Sequence, residues 1–275
     1  MQRAQVTIGR KTLSYLTSDP GAPPARQRPL RHVLFLHAFP LHAGMWEPNL
    51  GALPEGWQGI APDFRGFGQS PLPPGDKHRM IDFAGDMIDL LDRLEVTSAV
   101  VVGCSMGGYA LFEMIHTAPH YVSAAVLVST KATADTDEAK IGRTAMIERL
   151  DRGGVGVISD EMAPKLLGAT AQRERPDLVK HVKGMINSNK PETVKMAINA
   201  LMERADSTPL LPHIKVPSLI LAGVEDTLIP PAQADEMHKV IPNSGCEKLP
   251  LAGHLPNLEQ AAPFDARLHQ FLQKL

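Results

Sequence analysis

Nine residues, Val101-Val102-Gly103-Cys104-Ser105-Met106-Gly107-Gly108-Tyr109, constrain this chain more than any other stretch. With Ala99 and Val100 before them, they complete an apolar β-branched run of the kind that forms a buried strand. They lead into Ala110-Leu111-Phe112-Glu113-Met114, which reads as the start of a helix. A strand that turns at once into a helix needs a tight corner, and the residue at its tip takes an unfavourable φ/ψ. Gly103 and Gly107 flank Ser105 at two residues on either side and remove the Cβ atoms that would collide there. The serine is then held at the tip with its hydroxyl exposed. Backbone N–H groups of the helix N-terminus beside it can hold a developing negative charge. G-x-S-x-G occurs by chance in many chains; the strand before it and the helix after it give this one meaning.

Short apolar strands recur on both sides of that corner. Val6-Thr7-Ile8 and 12–16 flank Gly9-Arg10-Lys11 and read as a hairpin, followed by a proline-rich loop over 18–29. His32-Val33-Leu34-Phe35-Leu36 is a second buried strand, leaving through His37-Ala38-Phe39-Pro40. A third strand, 58–62, runs into the glycine-punctuated loop 63–70. A helix over 79–94 is predicted to bury Ile81, Ala84, Ile88, Leu91 and Leu94, with Asp86, Asp89 and Asp92 on a solvated face. A strand over 124–128 follows the corner. Alternating strands and helices signify a parallel sheet covered on both faces.

The rhythm changes after 130. Helices are predicted over 137–150, 155–167, 175–188 and 191–204, with Gly153-Gly154 and Asn187-Ser188-Asn189 as breaks. Met146, Met162, Met185, Met196 and Met202 in this stretch suit packing. Alternation resumes with a strand at 218–223, a helix at 232–240, a strand at 246–249 and a helix at 258–272. The division expected is a core domain of 1–130 and 213–275, and a helical cap of 131–212.

The 275 residues allow one large α/β domain or a core with a smaller insert. A net charge of −2 and a pI of about 6.6 suggest neither a nucleic-acid nor a membrane surface. Cys104 and Cys246 form neither a disulfide framework nor a zinc pattern. No leader and no apolar run of membrane-spanning length is visible, so a cytoplasmic protein is expected. The oligomeric state is not readable.

A serine hydroxyl is a poor nucleophile until a base takes its proton, and the base needs a partner to fix its tautomer. Position selects among eleven histidines. His254, in Gly253-His254-Leu255-Pro256, falls between the last strand and the last helix, at the carboxyl edge where open α/β sheets place their sites. His238 and His269 fall inside helices and read as solvated. Glu225 and Asp226 follow another strand at the same edge, and either could orient the base; Asp226 is preferred by its place in the motif. The order Ser105…Asp226…His254 distinguishes one of the three common serine-triad layouts. An oxyanion site needs two converging N–H donors. Met106 supplies one, and Phe39, in the loop after His37, the other. Cys104 should point into the core as a small hydrophobe.

Four segments carry a resemblance: Gly103 to Gly108, Ala61 to Ser70, His37-Ala38-Phe39-Pro40 and Gly253-His254. Together they resemble the α/β-hydrolase superfamily, and within it the lid-bearing esterases, enol-lactonases and cofactor-free haloperoxidase-like members. Ala38 stands where that family usually has glycine. The resemblance implies an α/β fold with a mostly parallel sheet and a serine hydrolase acting on a small-molecule carboxylic ester or lactone. Its pocket would be lined by Phe39, Met106, Leu228 and Leu255, with no metal or organic cofactor. Loop 63–70 is implied to be structural. Serine at the corner argues against the dehalogenase and epoxide-hydrolase branches, which use aspartate there. Perhydrolysis or C–C bond hydrolysis on the same triad, or a ligand sensor with slow turnover, are the competing readings.

Overall fold

The structure is a computed structural model that describes residues 1–18, 30–74 and 78–275. Beyond Ser18, the proline-rich loop expected over 18–29 lies outside the described residues. The chain begins with the hairpin β1 (Gln2–Ile8) and β2 (Lys11–Thr17), turning at Gly9. It continues through β3 (Arg31–Leu36), α1 (Glu47–Gly51), β4 (Trp57–Pro62), α2 (Met80–Arg93), β5 (Ala99–Cys104), α3 (Met106–Thr117) and β6 (Val122–Val128). A helical insertion follows: α4 (Asp137–Leu166), α5 (Ala169–Glu174), α6 (Pro176–Asn187) and α7 (Pro191–Glu203). The chain then returns to the sheet with β7 (Ser218–Gly223), α8 (Ala232–Val240), β8 (Ser244–Leu249), α9 (Pro256–Glu259) and α10 (Ala261–Leu272).

The eight strands form one sheet in the order β1-β2-β4-β3-β5-β6-β7-β8. β1 and β2 are antiparallel to their neighbours; β3 to β8 run parallel. All six residues of β5 are buried, as befits a central strand covered on both faces. Parallel strands deliver their following loops to one edge. The segments after β3, β5, β6, β7 and β8 therefore gather where a site can form.

The face predicted for α2 is rotated. Met80, Phe83, Ala84, Met87, Leu90 and Leu91 are buried, whereas Ile81 is 40 % exposed. Asp86 is fully buried instead of solvated. Arg65 grips its carboxylate with two parallel bonds of 2.6 and 2.7 Å, and Lys11 Nζ adds a third at 2.7 Å. Such a fork offsets the desolvation of a buried charge. It also gives loop 63–70 the structural role expected of it. The terminal helix is broken, with Gln260 at φ −131 and ψ 59 between α9 and α10. Pro263 explains the break, since mid-helix it could donate no bond and would clash with the preceding turn. Breaking at Gln260 puts it in the first turn, where no donor is needed. His269, read as solvated, is half-buried, and its Nε2 bonds the Ala52 carbonyl.

Within the insertion, α4 is interrupted at Gly154 (φ 70, ψ −172), the expected break. α4 packs against α6 and α7, with Met146, Met162, Met185 and Met196 buried. The short α5 was not foreseen; it buries only Ala171 and shows no periodicity to read. Among the described residues, no helix is long and apolar enough to cross a membrane.

Candidate active site

Ser105 stands at the tip of the β5–α3 corner with φ 52 and ψ −111, a conformation that disfavours every L side chain. It is partly exposed, whereas Cys104 and Met106 on either side are buried. A Cβ on Gly103 would lie 2.5 Å from the Gly107 carbonyl oxygen, and one on Gly107 would lie 2.3 Å from the Leu36 oxygen. Both glycines are therefore required by close approach. The corner is pinned from β6. Ser105 N–H donates to Val128 O at 2.9 Å, and the Thr130 hydroxyl donates to Ser105 O at 2.9 Å.

The segment leaving β3 runs beside this corner, because Leu36 pairs with Gly103 in the sheet. His37 fixes its course. The ring Nε2 accepts the Phe64 N–H at 3.0 Å, so Nδ1 carries the proton and donates to Ala38 O at 3.0 Å. Burial lowers the His37 pKa to about 4, which keeps the ring neutral. The Ala38 N–H is taken by Met45 Sδ. No protein acceptor is found among the described residues for the N–H groups of Phe39 and Met106. They are the two donors expected to converge on an oxyanion.

Asp226 and His254 come together as a buried pair. Asp226 Oδ2 lies 2.8 Å from His254 Nδ1, and Nε2 has no hydrogen-bond partner among the described residues. Asp226 Oδ1 accepts the N–H groups of Leu228 and Ile229 at 2.9 and 3.0 Å, so the carboxylate cannot swing away. The His254 turn is laid against β7: a Cβ on Gly223 would fall 1.9 Å from Gly253 O, and Glu225 N–H donates to Ala252 O at 2.7 Å. It also reaches β5, where the Cys104 thiol donates to His254 O at 3.8 Å. Burial holds that thiol well above its usual pKa, so Cys104 stays neutral, in keeping with its expected core placement. No hydrogen bond joins Ser105 Oγ to His254 among the described residues.

Glu225, the alternative orienter, faces elsewhere. Its carboxylate takes the Thr170 N–H at 2.8 Å and the Thr170 hydroxyl at 2.6 Å, fastening the insertion to the core. Of the residues expected to line a pocket, Phe39, Met106 and Leu255 are buried and Leu228 is half-buried. A cleft of about 910 Å³ opens at the opposite, amino edge of the sheet among Arg31, Trp57, Val100, Ser123 and Pro217. It lies away from the Ser105 corner, and the His32 that lines it bonds to Gln58. Among the described residues, no group of three or more His, Cys, Asp or Glu side chains could hold a metal ion.

Comparison with known proteins identifies the fold family. The model of the α/β-hydrolase fold family matches residues 31–261. This chain belongs to that family. A 3-oxoadipate enol-lactonase of Acinetobacter baylyi is 24% identical to this α/β hydrolase over 242 residues, 88% of each chain. A thermophilic esterase from Thermogutta terrifontis superposes with a TM-score of 0.90 at 34% identity, covering 100% of this chain and 99% of that one. The enol-lactonase of Burkholderia xenovorans shares the fold, with a TM-score of 0.87 at 23% identity over 98% of this hydrolase and 100% of that chain.

Two residues of the site were not anticipated. Thr130 carried one signal, its place just past a strand at the carboxyl edge. Glu259, 5 % exposed with its Oε1 accepting the N–H of Leu255 beside His254, carried none, since nothing near it in sequence marks a buried carboxylate.

Proposed function

We propose that this hydrolase cleaves a small-molecule carboxylic ester or lactone through an acyl-enzyme. The observation that carries the reading is the buried Asp226–His254 pair, set against the strand whose end presents the strained Ser105. Asp226 holds the proton on Nδ1, so Nε2 is the basic nitrogen. As Ser105 Oγ attacks the carbonyl carbon, Nε2 takes the hydroxyl proton. The carbonyl oxygen gains charge that the Phe39 and Met106 N–H groups stabilise, a contribution of about 3 kcal/mol per donor. Collapse breaks the C–O bond, and the imidazolium gives its proton to the departing alkoxide. Water then attacks the acyl-enzyme, Nε2 takes one of its protons, and the acid leaves as Ser105 recovers its hydrogen. A lactone yields a hydroxy acid by the same steps.

The relatives named as an esterase and an enol-lactonase support this substrate class. In this reading, residues 131–212 act as a cap over the acyl group. The setting is cytoplasmic, and two unpaired cysteines suit its reducing conditions. Labelling with a fluorophosphonate probe, followed by peptide mapping, tests the nucleophile without knowledge of the substrate. The label is expected on the peptide holding Ser105 and absent from Ser105→Ala, which should fold normally. A label elsewhere, or one retained by the variant, sinks the assignment.

A further inference from the structure

Asp226 orients the imidazole ring, but a ring is only as well placed as the backbone that carries it. His254 lies in an irregular turn between β8 and α9, outside any strand or helix. Leu251, at φ 57, already bends that turn into the left-handed region. The turn is nevertheless buried from Ala252 through Leu255, so its backbone donors need partners within the protein.

Glu259 meets that need. Its side chain reverses over its own short helix and is 5 % exposed. Oε1 accepts the Leu255 N–H at 3.1 Å, and the Gly253 N–H faces the same carboxylate and lowers its pKa. The residues immediately before and after His254 thus both turn an N–H toward one side chain. Oε2 accepts the N–H of Gly168, in the insertion, at 2.7 Å. Gly168 and Gly253 meet backbone to backbone: a Cβ on Gly253 would lie 2.2 Å from Gly168 N. Burial pushes the Glu259 carboxyl up, and the backbone donors pull it back. A buried carboxylate is costly, and an apolar side chain of similar size would fill this space without that cost. What an apolar residue cannot do is accept N–H groups that converge from the turn and from the insertion.

The geometry points to Glu259 as a positioning residue for His254: it fixes the backbone on both sides of the base and ties that turn to Gly168, so the imidazole is in place only while the insertion is seated. This rests on the reading of His254 as the base. Glu259 touches no substrate and acts through His254. Glutamine cannot replace it, because an amide offers one acceptor oxygen and turns its NH2 toward a donor.

The test compares Glu259→Gln and Glu259→Asp with Phe264→Leu, a core change in α10. Two readouts are taken. One is kcat and KM on a p-nitrophenyl ester. The other is the low-field proton NMR signal of His254 Nδ1–H, which reports the bond to Asp226 without turnover. Glu259→Gln is expected to lower kcat about tenfold or more with KM within about twofold, and to broaden or shift the signal. Glu259→Asp keeps two acceptor oxygens on a shorter stem and should lose less by both measures. Phe264→Leu should lower Tm while sparing the signal. A wild-type kcat in Glu259→Gln, or a signal unmoved in both Glu259 variants, overturns the inference. If the wild type cleaves no ester yet its signal responds to Glu259→Gln, the hydrolase reading fails and the placement of His254 by Glu259 stands.

Discussion

Ser105 is held by its own chain neighbours and the adjoining strand, whereas His254 is held by side chains and backbone brought from several other elements. At the corner, Gly103 and Gly107 let β5 and α3 meet, and Val128 at the end of β6 and Thr130 just past it complete the hold. At the His254 turn, Asp226 from the β7 loop, Glu259 from α9 and Gly168 from the insertion converge. The first arrangement stores strain in one residue; the second distributes hydrogen bonds over buried charge. The difference teaches where each is vulnerable. Local strain survives almost any remote substitution, while a turn fixed by distant groups fails when one of them changes.

The sharpest way to expose that contrast is Asp226→Asn. Asparagine Oδ1 can still accept the Leu228 and Ile229 N–H groups, so the loop should keep its shape. Its NH2 would donate to His254 Nδ1 and force the proton onto Nε2, the wrong tautomer for accepting from serine. We expect kcat to fall about ten-thousandfold with little change in Tm. A variant within tenfold of wild type by steady-state kinetics removes Asp226 from the mechanism.

Acid probes the other flank of the corner, where a neutral ring does the holding. Burial has lowered the His37 pKa from 6.5 to about 4. Between those values the unfolded chain binds a proton that the folded one refuses, so stability rises with pH across the window. The contribution is complete above pH 6.5 and is lost as pH falls toward about 4, amounting to about 3 kcal/mol. Denaturant titrations at pH 7 and pH 4.5 should show a larger loss in wild type than in His37→Asn, which has no proton to gain. Parallel losses contradict the account.

The smallest effect concerns the strain itself. Ser105→Gly should be more stable than Ser105→Ala by about 1 kcal/mol, or about 2 °C in Tm, because only glycine accepts φ 52 and ψ −111 freely. Equal melting temperatures would mean that the corner is relaxed.

This contrast also governs what can be read before folding. The corner was legible because its requirements sit within nine consecutive residues. Asp226 and His254 were legible through their order and their places after strands. Glu259, Gly168 and the buried Asp86 were not, since each makes sense only beside residues far off in the chain. The face of α2 was misjudged for that reason: Asp86 is tolerated inside only because Arg65 and Lys11 arrive from other segments. Asp226 was preferred over Glu225 by its place in the motif, and the two carboxylates divide the work, Glu225 holding Thr170 and Asp226 holding His254.

Gly168 and Gly253 touch with no room for a methyl group on either. Anyone grafting a foreign helical segment onto this core inherits that constraint. A donor segment bearing alanine at the junction would push the turn outward and carry the imidazole with it. Chimaeras that exchange the insertion should therefore be spliced after α5, leaving Gly168 to Thr170 with the recipient.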